Sequence, residues 1–301
     1  MLNKQPIFIN AFARGGSNIL MNLLLTHPDV CISSGETHKV FKGTKWDPNW
    51  RKIKKRLLYD YPIRILTRQD LFGVENLGNR NNVPEVLKKY IDRILYEGRF
   101  IANLSTHNKY KCQDIEYTDN ELKKCRLLTK SLNGTVFTID LFSEMYPDAT
   151  FFGLVRNGLA VCEGHLRRGY TAEYAGNLYA KVSRKMIEKS KLMENYHLVS
   201  YEEMVTDPHR FMLQLFKKAR LDPNIVKTVR LQSKKIMNSN GERSRIAGKN
   251  REVFWYYPGE LKNQIKSDIN DNQIKQLNNN DKEKFLSIAG DVMEELGYHS
   301  N

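Results

Sequence analysis

No run of eighteen apolar residues occurs in this chain, so no membrane-spanning helix is expected. No secretory leader is expected either. The apolar piece Ile7 to Ala13 is short, ends in Arg-Gly-Gly and offers no small-x-small cleavage site, so it reads as a buried strand. Cysteine is scarce: Cys31, Cys112, Cys125 and Cys162 show no CxxC spacing, which argues against zinc. Reduced thiols in a soluble cytoplasmic protein are expected, and Cys112 and Cys125 have reason to pair only after export. HxxxH pairs and carboxylate clusters are missing too, so no metal is expected. There is no internal repeat, and Lys and Arg are spread along the chain rather than gathered in a tail. That spread weakens a nucleic-acid reading of the +14 net charge, although an acidic glycan, a phosphorylated cofactor or a plain solvated surface stays open.

What is present is a core-forming pattern. Apolar strands are expected at Ile7 to Ala13, Val30 to Ser33, Arg126 to Thr129, Asp148 to Val155 and His197 to Tyr201. Helices are expected at Gly16 to Thr26, Val83 to Tyr96, Thr135 to Met145, after the break at Arg156-Asn157-Gly158 to about Arg167, and at Ala172 to Glu194, Pro208 to Ala219 and Lys282 to Leu296. The alternation predicts an α/β fold in three layers, with a central parallel sheet flanked by helices. One domain over 1–301 is expected. An acceptor-facing insertion is expected around 39–82, and a long loop without periodicity around 234–257. In such sheets ligands sit at the carboxyl ends of the strands. Four polar clusters follow or end strands: Arg14 to Asn18, Lys130-Ser131, Arg156-Asn157-Gly158 and Tyr201-Glu202. They are expected to meet on one edge.

The first cluster raises a chemical question. Strand, glycine turn and helix is a phosphate-holding arrangement, because glycine amides and a helix N-terminus both present N–H groups to an anion. Ser17 and Asn18 add donors, and Arg14 a full charge. Yet no Lys lies between Phe8 and Val30, where a nucleotide-triphosphate loop carries one. A tight turn with no ligand is the plain alternative. Further on, Arg156 ends a strand and Arg168 follows a helix; both can face one phosphate, or Arg167-Arg168 is an ordinary basic helix end.

Together these residues resemble the sulfotransferase family, whose members move a sulfuryl group from 3′-phosphoadenosine 5′-phosphosulfate (PAPS) to an acceptor. Arg14-Gly15-Gly16-Ser17-Asn18 is similar to the family's Arg-Ser-Gly-Thr-Thr cradle for the 5′-phosphosulfate. "HPDV" at His27 to Val30 recurs in many members, "LVRNG" at Leu154 to Gly158 resembles the 3′-phosphate motif, and "LVSYEEMVTDP" at Leu198 to Pro208 resembles the segment whose Tyr, here Tyr201, contacts the adenine region. The nearest flavour is the tyrosylprotein and glycan branch with its bacterial relatives. That resemblance implies a P-loop-like fold, Glu36 as base with His38 second and His165 an outsider, Lys130 and Arg14 on the phosphate oxygens, and Ser244 in support. It implies Gly248 and Lys249 in a loop closing over the 3′-phosphate.

Four positions depart from the pattern: Gly15 replaces Ser, Ser17-Asn18 replaces a Thr pair, and Gly164 replaces a Ser eight residues after Arg156. The lost hydroxyl at Gly164 removes a phosphate contact worth ~1–2 kcal/mol. A small natural product or oligosaccharide is the favoured acceptor, with no nucleic acid or membrane as partner; the oligomeric state stays open. A nucleotide-dependent kinase on the same topology and a non-catalytic basic binder are the rivals.

Overall fold

Strand β1 (Ile7–Ala11) is buried along its whole length. A strand with no polar face needs cover on both sides, which places it inside a parallel sheet rather than at a wet edge. In the computed structural model it is the centre of a five-stranded sheet ordered β2-β3-β1-β4-β5. The partners are β2 (Val30–Glu36), β3 (Arg126–Leu132), β4 (Thr150–Val155) and β5 (Tyr196–Ser200), and every pairing is parallel. The structure describes residues 4–37, 48–61, 84–104, 117–232, 235–237, 243–245, 253–265 and 267–299.

Twelve helices are present among the described residues: α1 (Ser17–Leu24), α2 (Asn49–Lys55, running into a π-helical turn at Arg56–Asp60), α3 (Glu85–Leu104), α4 (Asp119–Lys124), α5 (Ile139–Met145), α6 (Gly158–Leu166), α7 (Ala172–Leu192), α8 (Tyr201–Thr206), α9 (Pro208–Lys218), α10 (Leu261–Gln264), α11 (Ile269–Ile274) and α12 (Asn279–Glu295). No helix among the described residues is long and apolar enough to cross a membrane.

The alternation of β1 builds two cores. Ile7, Ile9 and Ala11 pack with α1, α8 and α9, whereas Phe8 and Phe12 pack with α3, α5, α7 and α12. Phe8 stacks between Phe142 and Phe151, with ring centroids 4.6 and 5.1 Å away, and Phe12 stacks on Tyr179 at 4.8 Å. The chain leaves β1 for one face through α1. It leaves β3 and β4 for the other, through α5 and α6. Neighbouring strands whose exits diverge open a crevice at their carboxyl ends, and β1 lies between two such neighbours.

Some boundaries differ from the sequence expectation. β1 stops at Ala11, because Ala13 and Arg14 turn into the loop, with Gly15 N–H donating to the Phe12 carbonyl at 3.0 Å. β3 runs on to Leu132, so Lys130 and Ser131 lie inside the strand rather than after it. Thr135 to Met145 is not one helix: a 3₁₀ turn at Asn133–Thr138 precedes α5. The expected loop at 234–257 contains three short strands, β7 (Lys235–Met237), β8 (Arg243–Arg245) and β9 (Val253–Tyr256). β9 pairs antiparallel with β6 (Val229–Gln232), and β7 with β8. Long-range pairing of this kind leaves little periodic signal in so few residues. Of the region expected as an insertion, only 48–61 is described, and it is helical. Cys31, Cys125 and Cys162 are buried free thiols; Cys112 lies outside the described residues.

Candidate active site

The loop after β1 is shaped by its backbone. Arg14 takes φ 74° and Gly16 φ 89°, both left-handed. Only glycine fits at 16, since a Cβ there would stand 2.3 Å from the Tyr201 ring. Asn133 steadies the loop by accepting from Ala13 N–H at 2.7 Å. α1 therefore begins at Ser17 with no side-chain cap and no acidic residue in its first turn. Its first amides and dipole face the crevice, which suits an anion.

Lys130 rises beside this turn from β3. Its side chain is only 2% exposed, yet its ammonium donates to Asn18 Oδ1 at 2.7 Å and reaches Ser17 Oγ at 3.5 Å. The positive charge thus stands at the head of α1 although the loop itself carries no lysine. Glu36 arrives from the other side. β2 pairs Ile32 with Leu128 but Glu36 with Lys130, so two extra residues on β2 are absorbed by a register shift. Such irregularities re-aim side chains. Here the shift sets a Glu36 carboxylate oxygen 3.6 Å from the Lys130 ammonium. Behind them, Thr37 N–H donates to the Lys130 carbonyl at 2.9 Å, and the Thr37 and Ser131 hydroxyls lie 2.9 Å apart.

On the far side of β1, Arg156 is buried under α11. It donates to Asn270 and Gln273 and to the Arg14 carbonyl, and its guanidinium stacks 4.1 Å over the Tyr201 ring. Burial holds its pKa below the usual arginine range, against the opposing pull of Tyr201 and Glu202. Glu202 accepts from Asn157 N–H at 3.0 Å, from Asn270, and from the Tyr298 hydroxyl at 2.7 Å. The four expected clusters therefore do meet on the carboxyl edge of the sheet.

A family model described as the sulfotransferase family matches residues 6–223, well over half of the chain. The chain belongs to the sulfotransferase family. Among solved structures, the sulfotransferase domain from the curacin biosynthetic pathway matches this sulfotransferase at a TM-score of 0.53 and 15% identity, covering 100% of both chains. The sulfotransferase domain of the Synechococcus PCC 7002 olefin synthase matches at 0.43 and 18%, over 73% of this chain and 75% of its own. A sulfotransferase from Alicyclobacillus acidocaldarius matches at 0.41 and 14%, over 75% and 84%. No curated protein matches significantly. The 0.53 match supports the P-loop-like α/β fold, with its parallel five-stranded sheet.

The other residues singled out in this sulfotransferase fall unevenly. Arg168 is exposed just past α6, and no contact joins it to Arg156 among the described residues. Ser244 sits in β8 opposite Ile236, with only its backbone described. His38, Gly248 and Lys249 lie outside the described residues. Glu163, awkward beside a phosphate site, turns to α11 and its own helix: it accepts from Gln273 and from Arg167 Nη2, the latter at 2.8 Å. Sequence reasoning missed Asn133, Asn270, Gln273 and Tyr298. Only Asn133 carried a signal, an Asn-Gly pair directly after a strand.

Proposed function

We propose that this protein transfers a sulfuryl group from PAPS to a hydroxyl or amine of a small natural product or oligosaccharide, by in-line displacement with a general base. The observation that carries the reading is the Lys130–Glu36 pair at the uncapped head of α1. The residues fit the cofactor: a glycine turn whose Gly16 packs directly against the Tyr201 ring, helix amides facing an anion, and an aromatic–guanidinium stack of Tyr201 and Arg156 beside them.

When bound, PAPS supplies the activated sulfuryl group. The chain supplies position and charge, which is most of what a loose, in-line transfer needs. Gly15, Gly16, Ser17 and Asn18 hold the 5′ end through backbone amides and side-chain donors. Lys130 and Arg14 place positive charge where the leaving phosphate gains negative charge. Glu36 takes the acceptor's proton, with its carboxylate oriented by the Lys130 ammonium 3.6 Å away. Arg156 and Tyr201 shape the nucleoside end. The solved curacin-pathway relative is a domain of a biosynthetic pathway, which agrees with a small-molecule acceptor.

Calorimetry separates this reading from a kinase. Adenosine 3′,5′-bisphosphate is expected to bind tightly in EDTA. Binding of ATP only with Mg²⁺, and none of the bisphosphate, overturns the proposal.

A further inference from the structure

The carboxyl edge of the sheet holds the candidate active site; the amino edge holds a cavity of its own. Its volume is about 490 Å³, and it opens between the chain entering β4 and β5 and the end of α9. Asp148 and Glu194 line it just ahead of the two strands, and His197 lines it from β5. Lys217 and Lys218 come from the last turn of α9, and Arg220 from the residues that follow.

The turn that carries these three cations is pinned. Arg220 N–H donates to the Lys217 carbonyl at 3.0 Å, and Leu221 N–H to the Phe216 carbonyl at 2.8 Å. That pair of bonds ends a helix through a left-handed residue, where glycine is usual. Here the residue is Arg220, at φ 53°. Buried Arg126 donates to the Ala219 carbonyl between Lys218 and Arg220, and its other donors go to Gln5 and Thr150. Arg126 thus fixes the turn and has no donor to spare for a ligand.

The three cations themselves are uncommitted. Among the described residues, the side chains of Lys217, Lys218 and Arg220 make no hydrogen bond or ion pair, although Asp148 and Glu194 line the same cavity. Exposed lysines elsewhere do find carboxylates, as Lys191 finds Glu295 at 2.9 Å. The groups behind the turn feel the uncompensated charge. Burial and Arg220 bring Arg126 down to about 10, and burial and Lys218 lower His197. A basic helix end alone answers the dipole of α9, but it calls neither for a cavity nor for an arginine in a left-handed position.

The lining narrows the ligand. No Phe, Tyr or Trp borders the cavity, so a nucleobase finds no aromatic side chain to stack on. The cations are spread over three side chains, which suits several oxygens rather than one. Asp148 and Glu194 disfavour negative charge on the other wall, which selects a compact anion over a long one. We infer that the amino-edge cavity is a second anion site, separate from the catalytic one, and that it takes a diphosphate group through Lys217, Lys218 and Arg220. Charge-assisted bonds from two ammonium groups and a guanidinium hold its oxygens.

The test is calorimetric titration of sodium pyrophosphate, in EDTA, into the wild type and into a variant carrying Lys218→Gln and Arg220→Gln. Both side chains are exposed, so the fold is kept. One equivalent is expected to bind the wild type, and the variant is expected to bind at least about tenfold more weakly. Adenosine 3′,5′-bisphosphate affinity is expected to be equal in the two proteins. Inorganic phosphate is expected to bind more weakly than pyrophosphate, and ADP no more tightly. No pyrophosphate binding by the wild type, or equal binding by both proteins, overturns the inference; tighter binding of ADP overturns the diphosphate as the unit recognised. In the wild type, the Cε1–H resonance of His197 is expected to move with pyrophosphate, because an anion beside Lys218 offsets the charge that lowers its pKa. An unmoved resonance counts against the site. The PAPS reading is tested apart from this: a wild type that binds pyrophosphate here but no bisphosphate sinks that reading and leaves the second site standing.

Discussion

Strand β3 carries two buried cations four residues apart, and they are settled in different ways. Arg126, at the amino end, donates to the carbonyls of Gln5 and Ala219 and to Thr150 Oγ1 at 3.0 Å. Its partners belong to three segments of the chain, and two of them are main chain. Lys130, nearer the carboxyl end, is held by the side chains of Asn18, Ser17 and Glu36. Backbone carbonyls cannot be exchanged without moving the fold, whereas side-chain partners can yield to a ligand. The amino end of the strand thus ties the sheet together, and the carboxyl end offers a charge for use.

The largest expected effect tests the second half of that contrast. Lys130→Met should lower kcat by ~10²–10³, as removal of one preorganised charge at a transition state does. The unfolding midpoint in urea should barely move. A large loss of stability with normal turnover in the folded fraction would reverse the assignment. Arg126→Met should do the opposite. It strands two buried carbonyls and a hydroxyl, which costs roughly 3 kcal/mol of unfolding free energy, read from urea denaturation, with turnover per folded molecule unchanged.

His165 is a third way of settling a buried base: it stays neutral. Its folded pKa of about 4 lies below the ordinary 6.5, so the unfolded chain takes up the proton first. Stability should therefore be level above about pH 6.5 and fall by roughly 3 kcal/mol as pH drops to about 4. His165→Phe should flatten that slope, and a wild-type profile level across the same window would contradict the account. The smallest effect is expected at the loop. Asn18→Thr retains an oxygen for Lys130 and should change cofactor affinity by less than about threefold. A large gain would show that the departure at Asn18 is costly and that backbone amides do less of the holding.

Legibility in the sequence followed the range of the interactions. The apolar runs of β1 and β4 and the periodicity of α7 and α9 are local, and both were readable. So was the loop from Arg14 to Asn18, because glycine turns and helix starts are written in adjacent residues. Lys130 was found through its motif, but its place inside β3 was not, since a lysine in a strand reads as an end until α1 is seen to cover it. The neighbours of Arg156 were not readable: Asn270 and Gln273 come from α11, more than a hundred residues on, and neither stands in a pattern. Gly164 looked like a deficit. Its reason lies in the left-handed backbone of Arg14, a conformation that a non-glycine residue does not announce: a Cβ at Gly164 would stand 2.9 Å from Arg14 Cβ. Glu36 and Lys130 were each assigned to the site only from resemblance, and their approach to one another depends on a register shift in β2 that no local pattern encodes.

The most direct test of the central claim is transfer itself. The protein is incubated in EDTA with ³⁵S-labelled PAPS and a metabolite extract from its source organism, and labelled products are separated by mass. The account predicts label in a small molecule with the wild type, and about a hundredfold less or none with Lys130→Met, although that variant still folds. Undiminished transfer by Lys130→Met, or no labelled product from a wild type that binds the bisphosphate, would contradict it.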